Sequence, residues 1–354
     1  MKKKILMVEY QGRCDTSGVA VGHAPKVLSE YAGFLKDDFE VSVLSPRCVL
    51  EATDADGRRN AKVLPRQIVM KGKVPIYERI FNKFKMFRNI RTALSVEADV
   101  YWFFNVEFYL MLYLALFGNR GRKIVCTMFM SGWHGGLIAS IKQKIFERAQ
   151  KRISYFISTG PSFSYKNVKA SFLPDYYCDE AYYAKYRAKD RKGFVCLGTM
   201  GAEKQLEEMV ERFTELELPL TVAGRFYDKE RLEKLKALAG SNVEFRDEYL
   251  TKDEYLKLLG KAKYVVLPYA PLQYGSQTSG VLQEALFLDT VCVTHRDVLE
   301  GNRIPGIGYG SWDELKEEDI VEDTSEYLAA FARLRREVYS REHMKAELQR
   351  IFSM

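Results

Sequence analysis

The stretch YGSQTSGVLQEALFLDTVCV, Tyr274 to Val293, reads as a loop, a helix and a strand in immediate succession. Just before it, Tyr264-Val265-Val266-Leu267-Pro268 is a short apolar run closed by proline, the pattern of a strand buried on both faces of a parallel sheet. The loop is crowded with Gly275, Ser276, Thr278, Ser279 and Gly280, small residues that let main-chain N–H groups come close to a ligand. They stand where a helix begins, and a helix N-terminus offers N–H groups and the positive end of a dipole to a phosphate. Glu284 follows just over one turn into the helix, where a carboxylate can accept hydrogen bonds from ribose hydroxyls. Asp289-Thr290 ends the helix, and Val291-Cys292-Val293 starts the next strand.

The residues alone leave two readings open here. In one, Ser279 is only a helix N-cap and Glu284 a solvated helix residue. In the other, the loop is a phosphate cradle. The pattern of apolar strand, proline, small-residue loop, S-G-V-L-x-E-A-L and β-branched strand resembles the nucleotide-sugar site of GT-B glycosyltransferases, above all the retaining family four and its bacterial polysaccharide-assembly relatives. That resemblance implies an α/β fold of two Rossmann-like doubly wound domains facing a cleft, with a C-terminal helix crossing back to the first. The donor-binding residues it implies at this element are Tyr274, Ser276, Gln277, Thr278, Ser279, Gly280 and Val281.

Outward from this element, strand and helix signals alternate over the whole chain. Its 354 residues suffice for two domains, each with its own core. Lys4 to Val8 is the first strand, Tyr10 to Gly18 a loop, Val19 to Leu35 a helix, and Phe39 to Leu44 the second strand. This is a Rossmann-type opening without G-x-G-x-x-G. The second strand ends Leu44-Ser45-Pro46, with no acid to hold a ribose, which argues against a nicotinamide dehydrogenase. Gly18 matches the family's cleft-facing glycine, and Ser17 stands where a second glycine is usual. His23 reads as a helix-terminus residue.

Further strands are expected at Val100–Phe104, with Asn105 and Glu107 after it, at Lys123–Met128, at Tyr155–Thr159 and at Ser171–Pro174. Ile138 to Lys151 reads as a basic amphipathic helix. His134, among Gly132, Gly135 and Gly136, is the best-placed histidine for a site; the family's sugar-contacting histidine would fall at Phe129 or Met130. Asp175 to Arg191 is polar, tyrosine-rich and without period. The expected division is therefore 1–175 for an acceptor-side domain, 176–191 for a linker, 192–323 for a nucleotide-sugar domain, and 324–354 for a helical segment packing back on the first.

In the second half, Gly193 to Leu197 is a strand and Gly198-Thr199-Met200-Gly201 a turn. Lys204, at the head of a helix read as Glu203–Phe213, matches the lysine that neutralises the donor pyrophosphate in family four, while Thr199 occupies the place of that family's arginine. Leu220 to Gly224 is a strand whose end, Arg225 and Phe226, would border the base. Thr251-Lys252-Asp253-Glu254 has the form of a capping box. Ile304 to Gly308 reads as an irregular loop, and Thr324 to Phe352 as helix throughout. The family's earlier glutamate falls at Ser276, which leaves the sugar open. Lys204, Glu284 and His134 are the catalytic candidates, and Gly18, Thr199 and Arg225 complete the donor-binding set.

The implied activity is a hexosyltransferase-type transfer from a nucleotide sugar to a saccharide, lipid-linked by preference, with retention. No cofactor is expected. Asp54-Ala55-Asp56 resembles a metal-binding D-x-D, but it sits in a polar turn beside Gly57-Arg58, so no metal is expected either. The competing account is a GT-B partner subunit that binds a nucleotide sugar without turning it over.

Charge and cysteines bound the setting. Six cysteines lie without CxxC spacing, several in strand-like runs, and read as reduced core thiols of a cytoplasmic protein. Lys2-Lys3-Lys4 before only four apolar residues is a basic leader to a first strand and not a signal peptide. The formal charge is +7, and from Arg58 to Arg91 the basic residues meet a single acid, Glu78. Within that block Ile76, Tyr77, Ile80, Phe81, Phe84, Phe87 and Ile90 recur at helical spacing. Two readings remain: a core helix with a basic rim, or a helix of segment 74–94 lying on an anionic membrane at the inner face of the cell membrane. The block holds no nucleic-acid-binding motif. The apolar run Phe108–Phe117 is too short to span a bilayer.

Overall fold

The computed structural model describes residues 2–15, 18–20, 22, 24–71, 75–104, 108–129, 136–162, 168, 170–202, 204–269 and 279–354. The chain divides into two compact units. The first comprises residues 1–159, 163–177 and 345–354, and the second 160–162 and 178–344.

The first unit is built on a parallel seven-stranded sheet. Its strands are β1 (Lys4–Val8), β3 (Glu40–Pro46), β4 (Lys62–Leu64), β6 (Val100–Phe103), β7 (Ile124–Met128), β8 (Tyr155–Ser158) and β9 (Ala170–Phe172). They lie in the order β4-β3-β1-β6-β7-β8-β9. The short strands β2 (Arg13–Asp15) and β5 (Ile68–Lys71) pair separately, so the loop expected from Tyr10 to Gly18 contains a strand. The all-buried VYWF of β6 is the apolar run that a sheet covered on both faces demands. Trp102 at its centre packs edge-on to Tyr31 and Phe352, and its indole N–H donates to Thr127 Oγ1 at 2.8 Å.

The second unit carries a parallel six-stranded sheet. Its strands are β10 (Phe194–Leu197), β11 (Leu220–Gly224), β12 (Val243–Asp247), β13 (Tyr264–Leu267), β14 (Val291–His295) and β15 (Gly306–Tyr309), in the order β12-β11-β10-β13-β14-β15. Counted from its own first strand this is 3-2-1-4-5-6, the doubly wound Rossmann order. The order reverses between β10 and β13, and the corresponding reversal in the first unit lies between β1 and β6. In helix Leu206–Glu215 the residues Leu206, Met209, Val210 and Phe213 are buried, the spacing of one helix face on a sheet. Burying a side chain such as Phe213 contributes about 1.5–3 kcal/mol.

Several boundaries differ from the sequence reading. Ile304–Gly308 is not an irregular loop, since its last three residues open strand β15. Its glycines conceal it from propensity, and they are there for space: a Cβ on Gly306 would lie 2.6 Å from the Cys292 carbonyl oxygen. The C-terminal segment is not one helix but two, Ser325–Glu337 and Arg341–Ser353. Tyr339 is buried in the break against Phe287, and Ser340 Oγ accepts from the His343 N–H at 3.3 Å, starting the second helix afresh. The last ten residues belong to the first unit, where Lys3 and Lys123 both donate to the Phe352 carbonyl. Residues 178–191, expected as linker, lie in the second unit, where Arg187 donates to the Phe287 carbonyl at 2.8 Å. All six cysteines are free and buried. Among the described residues no helix is long and apolar enough to cross a membrane.

Candidate functional site

In an open parallel sheet, ligands bind beyond the carboxyl ends of the strands where the strand order reverses. In the second unit that place is the ends of β10 and β13, and Lys204 stands there. It precedes helix Leu206–Glu215, which starts later than expected, and pairs as an isolated antiparallel bridge with Tyr269, just past the end of β13. The neighbouring Gln205 N–H donates to the Pro268 carbonyl at 2.8 Å. The Lys204 side chain is buried, with Nζ 3.4 Å from the Leu197 carbonyl oxygen at the end of β10 and 6.0 Å from the centre of the Tyr269 ring. Among the described residues no carboxylate lies within ion-pair distance of it. A buried ammonium held only by neutral groups is a costly arrangement that an anionic ligand would relieve.

The loop around Lys204 is clamped by Arg231, a residue the sequence reading passed over. Arg231 donates to the carbonyls of Gly201 and Lys204 at 2.8 Å each, and its Nε donates to Glu207 at 2.6 Å. Hydrogen bonding to Arg231 holds the Glu207 carboxyl below its usual range, and the same contact raises the guanidinium. Nothing in the sequence spacing reveals the clamp, because it joins two successive helices across the loop's main chain.

Tyr269 also links Lys204 to the second half of the site. Its hydroxyl lies 2.8 Å from Ser279 Oγ, at the N-cap of helix Gly280–Leu288. Ser279 therefore occupies the N-cap position while its side chain bonds Tyr269 and caps nothing. Gly280 and Val281 form the first turn, half-buried. Glu284 is buried and not solvated: Tyr255 donates to its Oε2 at 2.7 Å, and the Tyr183 hydroxyl lies 3.5 Å from Oε1. Burial, and after it the Glu284 carboxylate, push Tyr255 well above the ordinary phenol value, so it stays a donor.

Thr199 is exposed in the turn after β10. Arg225 is exposed at the end of β11, its guanidinium over the rings of Tyr227 and Tyr249 at 5.8 and 5.4 Å. Phe226, expected beside the base, is instead core, edge-on to Phe245. The exposed aromatic rings next to Arg225 are Tyr227 and Tyr249. Behind them Gly224, with φ +145°, passes so close to Gly198 that a Cβ would meet its carbonyl oxygen at 1.8 Å.

In the first unit Gly18 has φ +81° and lies in the turn after β2, not in the turn that follows β1. That turn belongs to Glu9, whose buried carboxylate accepts from the N–H groups of Gln11 and Gly12 at 2.9 and 3.2 Å. Asp54 and Asp56 take different partners: Asp54 accepts from the Gly57 N–H, and Asp56 pairs with Lys36 at 2.7 Å. Among the described residues no cluster of three or more His, Cys, Asp or Glu side chains could hold a metal. His134, His23, Tyr274, Ser276, Gln277 and Thr278 lie outside the described residues.

No protein-family model matches the chain, and no curated protein matches it. Solved structures do. HepE from Anabaena, solved with UDP, is 13% identical, with a TM-score of 0.68 and 100% of each chain covered. AviGT4, a glycosyltransferase involved in avilamycin A biosynthesis, is 14% identical at a TM-score of 0.64, covering 99% of this chain and 97% of its own. An E. coli trehalose-6-phosphate protein solved with UDP-2-fluoro glucose is 8% identical at a TM-score of 0.67, covering 99% of both chains. At such identities the likeness concerns the fold. The chain has the GT-B glycosyltransferase fold, with two Rossmann-like units.

Proposed function

We propose that this GT-B protein is a glycosyltransferase that binds a nucleotide sugar on its second unit and transfers the sugar to a saccharide acceptor. The observation that carries the reading is Lys204, a buried ammonium at the point where the strand order reverses, with the Leu197 carbonyl, the Met200 thioether and the Tyr269 ring near it and no acid among the described residues in ion-pair range. As the glycosidic bond breaks, the nucleoside diphosphate takes the bonding electrons and gains negative charge. Lys204 and the first turn of helix Gly280–Leu288 would stabilise that charge without a metal. Glu284, oriented by Tyr255 and Tyr183, would accept hydrogen bonds from the ribose, and Arg225 with Tyr227 and Tyr249 would border the base. Tyr274, Ser276 to Thr278, Thr199 and Gly18 complete the donor set, and His134 is the remaining catalytic candidate. We further propose retention of configuration and a lipid-linked acceptor of surface-polysaccharide type, reached from the cytoplasmic face of a membrane.

The test is nucleoside diphosphate release from UDP-, GDP-, ADP- and dTDP-sugars, with and without membrane extract, in EDTA, and with Glu284→Gln as control. Release from one donor, unaffected by EDTA and lost in the variant, is the expected result. Donor binding without release, even with extract, would identify a partner subunit that binds without turnover. No binding of any donor would refute the reading.

A further inference from the structure

Over its first half, helix Ile76–Ala93 exposes the apolar face that an ordinary core helix buries. Its buried positions are Asn82, Met86, Asn89, Ile90 and Ala93. The amide N–H groups of the two asparagines find partners there, Asn82 donating to the Val69 carbonyl and Asn89 to those of Tyr10 and Arg66. Meanwhile Ile76, Tyr77, Ile80, Phe81 and Phe84 are between 50% and 76% exposed. Ile76, Ile80 and Phe84 recur every fourth residue, with Tyr77 and Phe81 alongside, so they form one continuous stripe. The stripe continues through the half-buried Phe87 onto helix Phe108–Phe117, where exposed Phe117 meets the Phe87 ring at 6.3 Å and Leu116 is also exposed.

Burying asparagine while exposing phenylalanine is unfavourable in water for a monomer. Such a stripe calls for a cover of matching chemistry, and charge selects it. Arg79, Lys83, Arg88 and Arg91 are exposed on the same helix and have no acidic partner among the described residues. The one acid, Glu78, is already paired with Lys85 at 3.1 Å. A second copy of this chain on the same stripe would set these cations against their equivalents. A bilayer bearing anionic headgroups would accept both the cations and the apolar side chains.

We infer that this face of the first unit docks on an anionic lipid bilayer, with Ile80, Phe81, Phe84 and Phe117 entering the acyl boundary and Lys83 and Arg88 meeting the headgroups. The inference deepens the proposed function, from which it takes the reason for a membrane. It is tested on the full chain with vesicles of phosphatidylglycerol and phosphatidylcholine against phosphatidylcholine alone, read by flotation. Binding to the anionic vesicles, reduced about tenfold by Phe81→Ser with Phe84→Ser and likewise by Lys83→Glu with Arg88→Glu, is the expected result. All four residues are exposed, and an unchanged circular dichroism spectrum would confirm that the variants fold. Failure to bind, equal binding to both vesicle types, or binding that neither variant weakens would overturn the inference. So would a lipid-free dimer that the phenylalanine variant dissociates. Nucleotide binding is measured on the same preparation. Vesicle binding without nucleotide binding would uphold the docking face and refute the donor site, and the reverse would overturn the docking face alone.

Discussion

At the scale of single residues, Lys204 separates function from stability. Its ammonium is buried, and among the described residues it has long contacts to the Leu197 carbonyl and the Met200 sulfur but no acid, so the folded chain gains little from its charge. Lys204→Met keeps the volume and removes the desolvation cost, so its melting temperature should equal or exceed that of the natural chain, while sugar transfer falls about 100- to 1000-fold. A lysine that served packing would show the opposite pair of changes. Glu207 supplies a pH-dependent contrast. Its folded pKa is depressed, chiefly by Arg231, so its stabilisation is complete above the unfolded carboxyl value, about 4.3, and is lost as pH falls through the folded value. Because the side chain is 39% exposed, the contribution is discounted to about 1 kcal/mol or less. Urea midpoints of the natural chain and Glu207→Gln should therefore differ near about pH 7 and converge only as pH falls below the depressed folded value.

At the scale of elements, the site depends on turns too tight for side chains. Gly224→Ala would drive a Cβ into the Gly198 carbonyl at a φ that L residues rarely adopt. It should cost at least about 3 kcal/mol, read as an earlier unfolding transition of the second unit. What the sequence disclosed and what it hid follow from the same physics. Strands such as β6 and β13 were legible because a sheet covered on both faces leaves unbroken apolar runs. The capping box at Thr251 was legible because its hydrogen bonds are local, with the Glu254 N–H to Thr251 Oγ1 at 3.3 Å and the Thr251 N–H to the Glu254 carboxylate at 2.8 Å. Strand β15 was hidden, since its Gly306 answers to the Cys292 backbone and not to strand propensity. The helix at Ile76 was half legible: periodicity located the apolar face, but which face points inward is decided by the carbonyls that Asn82 and Asn89 satisfy.

At the scale of the whole molecule, the alternation of strands and helices announced two Rossmann-like units, while the strand order that locates a site appears only in the folded sheets. The residues at Ser279 and Gly280 marked a helix start by themselves, and a donor site only through the resemblance. Its connection through Tyr269 to Lys204, and the Arg231 clamp on that loop, are contacts between segments far apart in sequence, which no local pattern carries. The central claim is that this reversal point binds the diphosphate of a nucleotide sugar. Calorimetric titration of UDP, GDP, ADP and dTDP into the natural chain and into Lys204→Met tests it most directly. One nucleotide should bind the natural chain, in EDTA as well as without it, and at least about tenfold more weakly the folded variant. Equal affinity in the two proteins, or no binding of any of the four, would contradict the account.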